Sequence, residues 1–253
     1  MAQTVFNRVE KKFILTSEQY DAIWQDLVQY MEVDAFAWHT ICNLYYDTPT
    51  DALIRASIEK PAYKEKLRLR SYGVPAENEK VYLEIKKKYD GIVNKRRIEL
   101  SLQEAYAYLN EGKRLEKECQ ILRELDYFLS FYDLSAKAYI AYERVALFGK
   151  EDAQFRVTFD TNVRGRREHL RLEDGSAGDY ILPPGNYIME VKITNATPLW
   201  FVKLLNKHGI VGSSFSKYGT FYKKQIMEQK KKKVEKTDET SYIVSEERTE
   251  ETA

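Results

Sequence analysis

A chain of 253 residues can form one large β domain or two smaller ones, and either buries a real core. Its 40 basic residues stand against 39 acidic ones, so a net charge of +1 creates no whole-molecule field that attracts nucleic acid or membrane. No apolar run reaches the length of a membrane span, and none near the N-terminus resembles a signal peptide.

Cys42 and Cys119 lie in apolar surroundings without metal-ligand spacing and read as free thiols of a reducing compartment, so a cytoplasmic protein is expected.

The first strand is predicted from about Val5 to Leu15, with Arg8, Glu10 and Lys12 on one face. Thr16 and Gln19 have capping-box spacing and open a helix with an apolar stripe of Tyr20, Ile23, Trp24, Leu27 and Val28. Ile41 to Tyr46 reads as a strand ending at the turn signal Asp47-Thr48-Pro49. Strands at about 63–72 and 80–89 flank a hairpin connection, and Asp90-Gly91 turns the chain into another from Ile92 to Leu100.

Ser101 and Glu104 form a second capping box, and a helix is predicted from about Glu116 to Tyr132. Strands return at about 137–147 and 154–164, with a short hairpin within 165–185. The strand at 187–194 precedes Thr197-Pro198, read as an N-cap with proline at the first helical position, and Gly209 stops that helix. A helix beyond Gly219 runs into the lysines at 230–233, and the acidic segment from Thr237 to Ala253 is expected to be disordered. The expected division is a folded domain over 1–222 and a charged helix end with a tail over 223–253.

The strands repeat one pattern. Lys66, Arg68 and Arg70 face away from Leu67 and Leu69; Glu84, Lys86 and Lys88 face away from Leu83 and Ile85. Glu190 with Lys192, and Arg156 with Thr158 and Asp160, repeat it. The pleat has a period of two, so each set lies on one surface. A wet outer face would mix more neutral polar residues with both charges. Like charges on neighbouring strands repel, so a sheet that curls around this face needs an anion within it. The inventory predicts an α+β fold: an eight-stranded antiparallel β-barrel, a tunnel, with helices packed outside on the apolar strand faces.

Familiar catalytic motifs are absent. There is no GxxxxGK[ST], GxGxxG or GxSxG segment, and His39, His169 and His208 lack ligand spacing. What remains is Arg, Lys and Glu on strands, the residue types that neutralise phosphate oxygens and position a phosphoryl group. Periodicity alone does not distinguish phosphates from other anions. Nucleic-acid binding on an open basic sheet is disfavoured, because the cations are not interleaved with exposed aromatic residues.

Six segments occur in a telling order: Arg68-Leu69-Arg70-Ser71-Tyr72-Gly73, Leu83-Glu84-Ile85-Lys86, Tyr142-Glu143-Arg144, Arg156 to Asn162, Met189-Glu190-Val191-Lys192 and Phe215-Ser216-Lys217-Tyr218. Together they resemble the VTC domain, the polyphosphate polymerase branch of the triphosphate tunnel metalloenzymes (the CYTH-like superfamily), over about Phe6 to Tyr222.

The resemblance implies a tunnel holding a triphosphate or growing phosphate chain. Arg68, Arg70, Arg144, Arg156 and Lys217 would be catalytic. Lys12, Lys86, Lys95, Arg97 and Lys192 would bind phosphate, with Tyr142, Ser216 and Tyr218 as hydroxyl donors. Glu190 would hold manganese or magnesium (Mn2+ or Mg2+), with Glu10 and Glu84 as further candidates.

One departure bears on the reaction. Hydrolytic members of that superfamily open with ExExK, whereas this chain has Arg8-Val9-Glu10-Lys11-Lys12, a cation in place of the first glutamate. The expected activity is therefore transfer of the terminal phosphate of a nucleoside triphosphate, ATP first, onto inorganic phosphate or polyphosphate. A metal-dependent triphosphatase and a non-catalytic polyphosphate- or nucleotide-binding module are the alternatives. Fungal relatives work within membrane complexes, so a separate membrane-protein partner and a peripheral place at the membrane are further expectations.

Overall fold

Alternating strands build one antiparallel sheet in the computed structural model, which describes residues 9–230 except 91, 117 and 195. Its eight long strands are β1 (Val9–Leu15), β3 (His39–Asp47), β4 (Tyr63–Tyr72), β5 (Lys80–Tyr89), β6 (Ile92–Ser101), β7 (Ser135–Gly149), β8 (Arg156–Arg166) and β10 (Tyr187–Ile193). These match the eight predicted strands; the predicted start of the first, at Val5, lies outside the described residues. Three short strands were not foreseen as such: β2 (Met31–Val33) beside β7, β11 (Gly212–Ser213) beside β1, and β9 (Asp179–Tyr180), which pairs with β8 as the predicted hairpin in 165–185.

The hydrogen-bonded order is β11-β1-β10-β8-β7-β3-β4-β5-β6. The ladder is open, because β6 and β11 form its two ends and do not pair among the described residues. Side chains bridge where backbone does not: the Lys86 ammonium of β5 reaches Glu10 of β1 at 3.3 Å. The tunnel is thus a curled sheet with a seam, not a barrel sealed by main-chain bonds.

Helices cover the outer face, as the alternation requires. Leu67, Leu69, Leu83, Ile85 and Ile98 pack under α3 (Leu102–Glu111) and α4 (Gln120–Phe131) through Ala105, Leu122, Leu125 and Phe128. Phe13, Leu15, Val157, Phe159, Met189 and Val191 pack under α1 (Ser17–Tyr30) and α5 (Leu199–Lys207) through Ile23, Leu27, Phe201 and Leu204. Both predicted capping boxes form, at Thr16 with Gln19 and at Ser101 with Glu104. α4 starts at Gln120, four residues later than predicted, and Pro198 itself is the N-cap of α5.

A third apolar cluster lies on the cationic side. Ile140 and Tyr142 share a strand face with Arg144, and Ile188 shares one with Glu190; they meet Tyr45, Ile54, Tyr218 and Phe221. Ile54 belongs to α2 (Ala52–Glu59), a helix not predicted, while Tyr218 and Phe221 belong to a helical stretch over 217–230, which starts before the predicted Gly219. Phe221 seats against β8 because residue 165 is glycine; a Cβ there would come within 3.0 Å of the Phe221 ring. These helices floor the concave face and deliver Lys217 into it. No described helix is long and apolar enough to cross a membrane.

Candidate functional site

Two ion clusters occupy the concave face. In the first, Glu190 of β10 gathers cations from three other elements. Lys12 of β1 lies 3.2 Å from Oε1, Lys217 lies 3.0 Å from Oε1, and Arg144 of β7 lies 3.2 Å from Oε2. Arg144 also forks onto Asp160 of β8, with Nε 2.5 Å from Oδ1 and Nη2 2.6 Å from Oδ2, and Lys217 pairs with the same carboxylate. Burial alone would raise the Glu190 carboxyl pKa, but Lys217, Lys12 and Arg144 outweigh it and hold that pKa well below the ordinary range. Burial likewise opposes the charge on Arg144 and Lys217, and in both Asp160 leads the groups that reverse the effect and push the pKa up.

The second cluster centres on Glu84 of β5, whose cross-strand neighbours are Arg68 of β4 and Arg97 of β6. Arg68 donates from Nε to Oε2 at 2.7 Å, Arg70 Nε lies 3.9 Å away, and Lys95 pairs with Oε1. Burial opposes ionisation of Glu84, yet Arg68, Arg70 and Lys95 together lower its pKa. Arg70 also donates to Asn43 Oδ1 at 2.9 Å and to the Tyr142 hydroxyl at 3.2 Å, while Arg68 donates to the Tyr45 hydroxyl at 3.2 Å. Burial would raise the Tyr45 phenol, but Arg68 and Lys66 pull its pKa down to about 8.

Positive charge is left over between and around the clusters. Burial brings the pKa of the Lys66 ammonium down to about 8, with Tyr45 opposing and Lys86, Lys64 and Lys12 adding repulsion. Burial also brings the Lys192 pKa to about 8, where repulsion from Arg144 meets partial relief from Glu10 and Glu190. The pKa of Lys95 falls to about 7, chiefly through burial, against the pull of Glu84. Arg156 Nε and Thr158 Oγ1 are buried with no hydrogen-bond partner among the described residues. Buried polar atoms are ordinarily satisfied, so both atoms depart from the usual pattern.

The remaining candidates fall around these clusters. Lys86 bridges to Glu10, and Arg97 lies 4.8 Å over the Tyr82 ring. Arg156 reaches Asp34 at 3.0 Å. Ser216 Oγ accepts from Lys66 at 3.2 Å and from the Gly219 amide at 3.2 Å. The Tyr142 ring carries Lys217 on its face at 4.4 Å. Tyr218 is turned to the floor: it stacks on Tyr45 at 4.7 Å and donates to Asp47 at 3.2 Å.

Asp160, Lys66, Tyr45, Asn43 and Asp34 belong to the same surroundings without having been singled out as site residues. For Asp160 and Lys66 the signal was present, since each shares strand parity with a named cation. Among the described residues no three His, Cys, Asp or Glu side chains converge as a metal cage. Glu10 and Glu190 nevertheless face one space closely enough for Glu190 to push the Glu10 pKa up, although burial and Lys86 act on Glu10 more strongly and its net shift is downward.

An antiparallel sheet curled around a cation-rich inner face, with carboxylates set among the cations, is a tunnel-type architecture. The chain belongs to the VTC domain family, whose profile matches residues 7–226. No curated protein matches it. Among solved structures, a candidate adenylate cyclase from Bacillus halodurans is similar at 15% identity with a TM-score of 0.56, covering 85% of this chain and 96% of that one. A candidate adenylyl cyclase from Hippeastrum, described as revealing a dominant triphosphatase activity, is similar at 18% identity with a TM-score of 0.53, covering 85% and 95%. At these identities the likeness speaks for the tunnel fold.

Proposed function

We propose that the bore is a triphosphate site that moves the terminal phosphoryl group of a nucleoside triphosphate onto inorganic phosphate or polyphosphate. The observation that carries this reading is the excess of positive charge on an enclosed face, where burial and neighbouring cations bring the Lys66 and Lys192 pKa values to about 8 against the pull of Tyr45 on the first and of Glu10 and Glu190 on the second. A polyanion would relieve that repulsion. VTC family membership supports the same substrate class.

Transfer is favoured over hydrolysis by the state of the carboxylates. Hydrolysis needs a group to orient and deprotonate water, and such a base works best with a pKa near the operating pH. Glu10, Glu84 and Glu190 are all shifted downward, and Asp160 is taken by Arg144 and Lys217. A phosphate acceptor is already ionised and needs no base. It needs its repulsion with the donor suppressed, which Arg68, Arg70, Arg144 and Arg156 would do as fixed positive charges around it.

The oxygen donors fit a hard divalent ion such as Mn2+ or Mg2+, which takes one or two carboxylates and completes its shell with substrate oxygens. Glu190 and Glu10 would hold it; Glu84, enclosed by Arg68, Arg70 and Lys95, would act as a counter-ion that positions them. When bound, the ion neutralises charge on the transferring group. Lys12 and Lys217, which now pair with Glu190, are within reach of anionic oxygens beside it.

Incubation with ATP and manganese followed by gel analysis tests the reading. A ladder of long phosphate chains is expected, and free phosphate as sole product would favour the triphosphatase instead.

A further inference from the structure

The inward columns of three strands, cation-bearing on β4 and β5, end in ring side chains at the same end of the bore. On β4 the inward series Lys66, Arg68, Arg70 continues to Tyr72; on β5 Lys86 and Glu84 continue to Tyr82; on β3 Tyr45 and Asn43 lead past Ile41 to His39. Register holds these ends together, for Tyr82 lies opposite Arg70, Tyr72 opposite Ile41, and His39 opposite Arg144.

The rings form a continuous chain. Phe36 and His39 have centroids 6.2 Å apart, His39 and Tyr72 5.9 Å, and Tyr72 and Tyr82 5.6 Å. Arg97 covers the inner end of that chain at Tyr82, 4.8 Å from its ring centre. Tyr72 is 52% exposed and Phe36 76% exposed. Aromatic surface of this size is ordinarily buried, and here it lies at the mouth of a polyanion groove.

We propose that this rim is a nucleobase-stacking site, which holds the base of a nucleoside triphosphate while its phosphates lie along the arginines. The inference rests on the triphosphate reading above and adds which end of the bore the nucleotide enters and how its base is recognised.

Spacing supports it. The four residues from Tyr72 to Arg68 span about 13 Å of strand, the reach of a sugar and its phosphates from a base stacked at the rim. Every nucleobase offers a π face, and Arg97 beside Tyr82 adds a cation–π contribution. Recognition by stacking reads area more than edge pattern, so purine nucleotides bind more tightly than pyrimidine ones, and adenine is not strictly required. The rings do not interleave with the cations as on a nucleic-acid platform; they terminate them, which suits a single base on a long anionic tail.

Calorimetric titration of the full chain with ATP and with inorganic tripolyphosphate, both without metal, tests the proposal. In Tyr72→Ala the ATP dissociation constant should rise about tenfold, while that for tripolyphosphate stays at the wild-type value. Tyr72→Phe should restore ATP binding. An unchanged ATP affinity in Tyr72→Ala, or an equal loss for both ligands, would overturn the stacking site and leave the triphosphate reading standing. Wild-type protein that binds neither ligand would overturn both.

Discussion

The Glu84 and Glu190 clusters are built from similar parts but balanced differently. Around Glu84 a single carboxylate meets three cations, Arg68, Arg70 and Lys95. Around Glu190 two carboxylates, Glu190 and Asp160, share Lys12, Arg144 and Lys217. The first side carries more unmet positive charge and suits phosphate oxygens, whereas the second has carboxylates to offer a metal. Their assembly differs too. The Glu84 cluster comes from three adjacent strands, while the Glu190 cluster joins four strands and a helix.

That contrast can be broken most severely at Arg144, the shared partner of two buried carboxylates. Arg144→Ala should destabilise the fold by about 3 kcal/mol or more, read as a lower urea midpoint. The matching change on the other side, Arg68→Ala, leaves Arg70 and Lys95 beside Glu84 and should keep most of the stability. Its turnover with ATP should nevertheless fall about a hundredfold, the scale seen when one charge-stabilising donor is lost. A folded, fully active Arg68→Ala protein would remove the Glu84 side from the reaction.

Titration sharpens the comparison more gently. Lys66 and Lys192 have folded pKa values near 8, below the ordinary 10.5. Between those values the empty folded protein binds fewer protons than the unfolded chain, so its stability should rise with pH across that window. A bound polyanion requires both ammonium groups charged, so tripolyphosphate affinity should fall over the same window, by about tenfold if one such charge is lost. Parallel slopes in the two measurements would contradict the placement of these lysines. The smallest effect is expected at the outer edge. Asp34→Ala removes the partner of Arg156, whose side chain is 41% exposed, and should cost less than about 1 kcal/mol.

Much of the frame was legible because alternation is local. Every long strand from β3 onward was readable, and the face of each cation followed from parity. α2 was not, and the reason is physical: its N-cap residue Asp51 has a left-handed φ of 56° and makes no side-chain cap. The free amides of Leu53 and Ile54 are instead satisfied by Asp47 at the end of β3, at 2.9 Å each, so no cap of the usual spacing was there to read. Asp160 shows the same limit within the site. Its face could be read from Arg156, but its partners Arg144 and Lys217 are 16 and 57 residues away in sequence. Pairing over such distances is decided by how the sheet curls.

The unpaired edges of β6 and β11 give the sheet a slit held partly by charge, through Lys86 and Glu10. A slit of that kind can part without rupturing any main-chain ladder, so a long polymer could be laid in sideways, as a cable into a split grommet. Ionic strength would then act as the latch: amide exchange along β6 should quicken as salt rises, and equal exchange at low and high salt would mean that the slit stays shut.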